Sequence, residues 1–173
     1  LGNIKSVVKL DISALVLSRD QKTAFAMISG SNKMTIIDIS DQKSPKILGA
    51  MDYPVFPMKQ NSYYTSKDIY TLALSSDEKT LFVSNFLNVW IINITDLKSP
   101  NHLSFSEVDL PDRTSITKLS NYFKASLAID EKTKTLFTGG LGLLAYDISD
   151  FDNPVLLTSV VNPRVNDDSG VIL

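Results

Sequence analysis

The chain contains no cysteine and only one histidine, His102. Without cysteine there is no disulfide framework, no thiolate zinc site and no thiol nucleophile, and a lone histidine supplies no pair for a metal. Charge of one sign is also missing: 17 Lys+Arg stand against 19 Asp+Glu, a formal net charge of −2. The basic footprint of a nucleic-acid binder is absent, so no nucleic-acid partner is expected. Every apolar run is broken within a few residues, far short of the roughly 18–20 needed for a membrane-crossing helix, and no membrane insertion by this segment is expected. No basic-then-apolar leader opens the sequence and Leu1 is not an initiator methionine, which reads as a piece of a longer protein. What remains is globular: 173 residues, 43% hydrophobic and 21% charged, the size and texture of one ordinary domain.

Two blocks recur three times in one register. The first is LVLSRDQKTAFA at Leu15 to Ala26, LALSSDEKTLFV at Leu72 to Val83 and LAIDEKTKTLFT at Leu127 to Thr138. The second is IIDISDQKSP ending at Pro45, IINITDLKSP ending at Pro100 and AYDISDFDNP ending at Pro154. The three prolines stand 55 and 54 residues apart. Two unrelated blocks repeating at one spacing are an internal repeat, the property to establish before any other. The repeats run approximately over 10–51, 67–108 and 123–161, within one unit spanning 1–173.

Each repeat has β texture. Short runs of Ile, Val, Leu, Phe and Thr alternate with Ser/Asp/Lys/Pro clusters, and no longer window keeps a helical period with caps. In the second repeat the pattern predicts strands at Tyr70–Ser75, Thr80–Ser84, Val89–Ile94 and His102–Val108. The polar stretch at 75–80 is a hairpin turn, and Pro100, with fixed φ and no N–H, ends the turn at 96–100. Four antiparallel strands per repeat make one blade of a β-propeller, so the expected fold is all-β, a propeller fragment of about three blades.

The Ile-Ile-Asp-Ile-Ser-Asp…Pro block resembles the signature of LVIVD-repeat propellers, and the hairpin block is similar to one shared with lactonase-like propellers. Three imperfect copies cover most of the chain. The resemblance implies a propeller fold and slightly favours an extracellular or cell-surface setting; it implies no cofactor. The chain departs from the pattern in three ways. Gln21, Glu78 and Thr133 stand where the hairpin usually has glycine, so either a non-glycine residue takes a left-handed conformation or the turn is of another type. Ser44 and Ser99 replace the asparagine kept only at Asn153. Insertions lengthen the connections at 52–68 and 109–125. Closed rings have about four to eight blades, so further blades of the same protein are expected. Ile4–Val8 reads as a fourth strand lacking its blade and Val171–Leu173 as a first strand beginning.

Candidate sites are few. Asp41, Asp96 and Asp150 recur after the third strand, where an aspartate caps a turn; only Asp147, Asp150 and Asp152 cluster enough to raise calcium, which wants six to eight oxygens. His102 is expected as an exposed edge residue. Gly139-Gly140-Leu141-Gly142 leads into a strand, not a helix, and reads as a tight loop and not a phosphate cradle. Asn93-Ile94-Thr95 is a formal glycosylation sequon in a slot held elsewhere by Asp38 and Asp147. No Gly-x-Ser-x-Gly elbow appears. No catalytic or metal residues are assigned.

The inserted segments concentrate aromatic side chains: Tyr53, Phe56, Tyr63 and Tyr64 in the first, Tyr122 and Phe123 in the second. Such side chains give large contact area at low entropic cost, as anchors for a protein or glycan partner; alternatively they cover the ends of their own blades. The functional expectation is a non-enzymatic interaction or scaffold module within a larger surface or scaffolding protein. The alternative is a lactonase-like or other hydrolase with its site in a central channel. Phe25, Phe82 and Phe137 should be buried at equivalent places, and the terminal blades should expose apolar faces.

Overall fold

A computed structural model describes residues 10–28, 33–52, 70–84, 88–107, 125–140 and 142–161. They form three four-stranded antiparallel sheets, one per repeat, which we call the first, second and third blades. The first holds β1 (Ile12–Leu17), β2 (Thr23–Ile28), β3 (Lys33–Asp38) and β4 (Lys46–Asp52). The second holds β5 (Thr71–Leu74), β6 (Thr80–Ser84), β7 (Asn88–Asn93) and β8 (Asn101–Glu107). The third holds β9 (Ser126–Asp130), β10 (Thr135–Gly139), β11 (Gly142–Asp147) and β12 (Val155–Val161). Spatial order follows chain order in every sheet. β1, β5 and β9 lie beside one another, so the first strand of each blade is the innermost.

In the first and second blades the middle strands are covered on both faces, which is why they read as continuous apolar runs instead of alternating ones. All of Ala24–Met27, Leu81–Ser84 and Val89–Ile92 are buried. The fourth strand takes one extra residue at the same place in each blade. Ile36 pairs Gly49 but Ile37 pairs Ile47; Ile91 pairs Ser104 but Ile92 pairs His102; Ala145 pairs Thr158 but Tyr146 pairs Leu156. The residue passed over is Leu48, Leu103 or Leu157, a β-bulge that increases the local twist.

Register decides which face each side chain serves. The triples Phe25/Ile36/Gly49, Phe82/Ile91/Ser104 and Phe137/Ala145/Thr158 lie side by side across their sheets. They mark what we call the forward face, turned toward the next blade. In the first joint Phe25, Met27, Met34 and Ile36 meet Leu81, Val83, Trp90 and Ile92 of the second blade. In the second joint Phe82, Val89 and Ile91 meet Leu136, Leu144, Tyr146 and Ile148 of the third. One expectation is corrected here. Phe25 and Phe82 are buried, but Phe137 is only half-buried, because no blade among the described residues lies against its face. Leu72 packs into the first joint, on the opposite side of its sheet from Phe82, while Leu127 meets Phe82 across the second.

Candidate functional site

The molecule presents two rims and two joints. At one rim lie the hairpins between first and second strands and the turns between third and fourth. In the first two hairpins a serine and an aspartate hold the turn. Ser18 Oγ donates to Asp20 Oδ1 at 2.7 Å, Lys22 N–H donates to the same oxygen at 3.0 Å, and Thr23 N–H donates to Ser18 Oγ at 3.0 Å. Ser75, Asp77, Lys79 and Thr80 repeat the arrangement at 2.7, 3.1 and 3.0 Å. The serine hydroxyls first, and the lysine amides second, hold both carboxyls below their ordinary range. This network fixes the backbone strongly enough that Gln21 and Glu78 take left-handed φ values of 58° and 57°. The third hairpin differs. Lys132 stands where the aspartates stand, Asp130 takes the amides of Lys132 and Thr133 at 3.0 and 3.3 Å, and the left-handed residue is Lys134, φ 53°, and not Thr133.

The turns before the fourth strands carry the recurrent aspartates. Lys43, Lys98 and Asp152 donate their N–H groups to Asp41, Asp96 and Asp150 at 3.0, 2.9 and 3.0 Å, the capping role expected of them. Three residues earlier a second side-chain turn precedes each. Asp38, Asn93 and Asp147 accept from the amides of Ser40, Thr95 and Ser149 at 2.9, 2.9 and 2.8 Å, and from their hydroxyls at 2.6, 2.8 and 2.6 Å. The Asn93 sequon is thereby the same turn with an amide oxygen in place of a carboxylate. Asp147 and Asp150 point their oxygens at different amides, and no group of three or more His, Asp or Glu converges among the described residues.

At the opposite rim β4 and β8 end and β5 and β9 begin, with the Gly139–Gly142 loop between second and third strands. Gly140 N–H donates to the Gly142 carbonyl at 3.1 Å, a tight loop as expected. A side chain at Gly139 would strike Ser126 Oγ. An exposed Lys33–Asp52 pair at 3.7 Å adds little at such exposure. The expected anchors Tyr53, Phe56, Tyr63, Tyr64, Tyr122 and Phe123 lie outside the described residues, within 53–69 and 108–124, as do Ile4–Val8 and Val171–Leu173.

Sequence reasoning missed the joints. On the hairpin rim, the N–H of Arg19 donates to Glu78 of the next blade, whose Ser76 carbonyl accepts from Arg19 Nη2 at 2.8 Å. Ser76 N–H in turn donates to Glu131 Oε1 at 2.7 Å; that amide, with Lys134 adding to it, holds the Glu131 carboxyl below its ordinary range. Farther out, the Ser104 hydroxyl donates to the Phe151 carbonyl of the third blade. Gly49, the counterpart of Ser104, leaves room for the Leu97 carbonyl; any Cβ there would collide with it. The signal was in plain view: the fourth residue after each turn proline is Gly49, Ser104 or Thr158, small or hydroxylated each time.

His102 also differs from expectation. It sits on the outermost strand, but it is half-buried and both ring nitrogens are enclosed with no hydrogen-bond partner. Its counterparts Ile47 and Leu156 are apolar but exposed, whereas burial of His102 pushes its pKa below the ordinary value. The inner strands ISALVL, TLAL and SLAID offer one titratable side chain, Asp130, already engaged by its hairpin.

No family model matches the chain, and no curated protein matches it. Solved structures do. The crystal structure of RRP9 WD40 repeats superimposes with a TM-score of 0.60 at 14% identity, covering 92% of this chain and 41% of that one. The Pseudomonas aeruginosa periplasmic gluconolactonase gives 0.62 at 12% identity, over 87% and 40%. A Myceliophteria thermophila β-propeller domain gives 0.56 at 12% identity, over 88% and 43%. The chain spans about 40% of the length of the structures it matches. At such identity the likeness establishes the fold alone: an all-β arc of three β-propeller blades.

Proposed function

We propose that this chain is a non-enzymatic interaction module of LVIVD-repeat type, an arc of a larger propeller that binds a protein or glycan partner at the rim where β4 and β8 end. Tyr53, Phe56, Tyr63, Tyr64, Tyr122 and Phe123 are its anchors. The observation that supports this most is how the polar groups are spent. On the hairpin rim every recurrent aspartate is engaged by its own turn, and the inner strands carry no converging acid, base or nucleophile among the described residues. Both inserted segments, which carry these aromatics in the sequence, connect one blade to the next. Resemblance to the RRP9 WD40 repeats fits this reading, while the gluconolactonase likeness keeps lactone hydrolysis as the activity to assay against it.

The test is a glycan array and a proximity-labelling screen with the intact chain, followed by titration of the recovered partner against alanine variants. Tyr63→Ala or Phe123→Ala at a true anchor weakens binding by about 2 kcal/mol with an unchanged melting midpoint. Loss of stability with unchanged affinity would instead make these side chains covers of their own blades. Turnover of a lactone by the chain would replace the scaffold reading with the hydrolase one.

A further inference from the structure

Asn93 stands in a slot that the other two blades fill with aspartate. Each slot closes a turn with one side-chain oxygen, which accepts from the amide and the hydroxyl of the residue two places on. A carboxylate suits that turn better. The hydroxyl bonds to Asp38 and Asp147 are 2.6 Å long against 2.8 Å to Asn93, as hydrogen bonds to an ionised acceptor are the shorter and stronger ones. Those hydroxyls first, and the amides second, hold both carboxyls below their ordinary range. The amide therefore gives up turn stability, and what it adds is a nitrogen. Two donors meeting one atom identify that atom as Oδ1, so Nδ2 is the other branch. Among the described residues Nδ2 has no hydrogen-bond partner, and it is not enclosed. The hydroxyl changes in the same repeat, from Ser40 and Ser149 to Thr95, and the two changes together write Asn93-Ile94-Thr95. Every other asparagine of the chain lacks a Ser or Thr two residues on.

We propose that Asn93 is an N-glycosylation site, carrying a glycan outward from the hairpin rim of the second blade. In the transfer, catalysed by an oligosaccharyltransferase, Nδ2 attacks the anomeric carbon of an oligosaccharide linked to a lipid diphosphate. A C–N bond forms, the C–O bond to the diphosphate breaks, the lipid diphosphate leaves with that electron pair, and one proton passes from Nδ2 to solvent. The product keeps Oδ1 as a carbonyl oxygen, so both bonds from Thr95 survive and the folded turn holds the glycan without rearrangement. Ile94, between acceptor and hydroxyl, is buried, and its N–H donates to the Lys79 carbonyl at 2.9 Å, which fixes the turn to the blade. Space is available around it. Thr95, Asp96, Lys98 and Ser99 along the turn, and Asn101 paired across the strands, are exposed and polar. A glycan there coats the rim opposite to the one proposed above for the partner, so the two readings stand or fall separately.

Translation of the intact chain into microsomes, behind a cleavable secretion signal, tests this. A mass increase of one glycan is expected, removed completely by peptide-N-glycosidase, which leaves an aspartate in place of Asn93. Asn93→Asp should abolish the increase and keep the fold, since carboxylates hold this turn in the other two blades. Thr95→Val should abolish it as well, and Thr95→Ser should lower the glycosylated fraction while sparing the turn. The glycosylated chain and the Asn93→Asp variant should resist limited proteolysis equally, because the folded turn has room for the sugar. Absence of a mass increase overturns the proposal, as does an increase that Asn93→Asp leaves in place. A glycosylated chain that is degraded faster than Asn93→Asp overturns it too, since the acceptor would then be reached only in unfolded chain and the tripeptide would be a coincidence of sequence.

Discussion

Phe82 and Phe137 hold the same place in successive blades, each preceded by Thr-Leu, and differ most in what lies across from them. Phe82 faces the third blade, with its ring edge-on to Phe151 at a centroid distance of 5.7 Å, and is fully buried. Phe137 faces outward and is half-buried. A repeat motif therefore specifies a face, and the neighbour decides whether that face becomes a core. The first and second joints teach the same lesson at finer scale. One fits a carbonyl by omitting a side chain at Gly49, the other by offering it the hydroxyl of Ser104.

The largest effect should separate the two phenylalanines. Phe82→Ala removes a fully enclosed ring and should cost about 3–5 kcal/mol in denaturant unfolding. Phe137→Ala should cost less than half as much, because part of that ring already meets water; equal losses would mean that the two faces are covered alike. Gly49→Ala comes next. Its methyl group runs into the Leu97 carbonyl, and forcing the blades apart should cost roughly 1–3 kcal/mol, whereas Ser104→Ala, which loses one hydrogen bond across the second joint, should cost about 1 kcal/mol.

A gain is expected at His102. His102→Leu replaces two enclosed, unpartnered nitrogens with the kind of side chain its counterparts carry, and should stabilise the chain by about 1 kcal/mol. Its folded pKa is depressed, so the wild-type contribution is steady above the unfolded value of about 6.5 and falls as pH drops below it, when only the unfolded chain readily takes the proton. The advantage of the leucine variant should widen from pH 7 to pH 5, read by thermal melts at each pH. A parallel profile would place the ring in contact with water. The smallest effect belongs to Glu131. Its carboxyl is depressed by the Ser76 amide across the joint, so its stabilisation is present at neutral pH and lost as pH falls below about 4. Glu131→Gln should cost a few tenths of a kcal/mol at neutral pH and nothing in acid.

Much of the fold was legible in the sequence because its determinants are local. The strands of the second repeat emerge at Thr71–Leu74, Thr80–Ser84, Asn88–Asn93 and Asn101–Glu107, each boundary within one residue of the pattern. The caps at Asp41, Asp96 and Asp150 are bonds between residues two apart, which a repeat displays directly. The first two hairpins take one of the two alternatives open to a non-glycine turn and the third takes the other, for a related reason. With Asp130 in place of serine and Lys132 in place of aspartate, the bonds that set the turn change partners, and the left-handed residue moves one place along.

By itself the sequence determined the repeat, the four strands of each blade and the turns between them, since short apolar runs and side-chain-to-backbone turns are completed within a few residues. Tertiary structure alone decided that two of three equivalent phenylalanines are enclosed and the third only half-buried, that both ring nitrogens of His102 are enclosed, and that Gly49 and Ser104 solve one problem in two ways. Those outcomes depend on partners 47 to 59 residues away across a joint, such as Ser104 with Phe151 and Arg19 with Glu78. Contacts at that separation are set by how whole sheets pack against one another, and no window of sequence as short as a strand or a turn contains both halves of them.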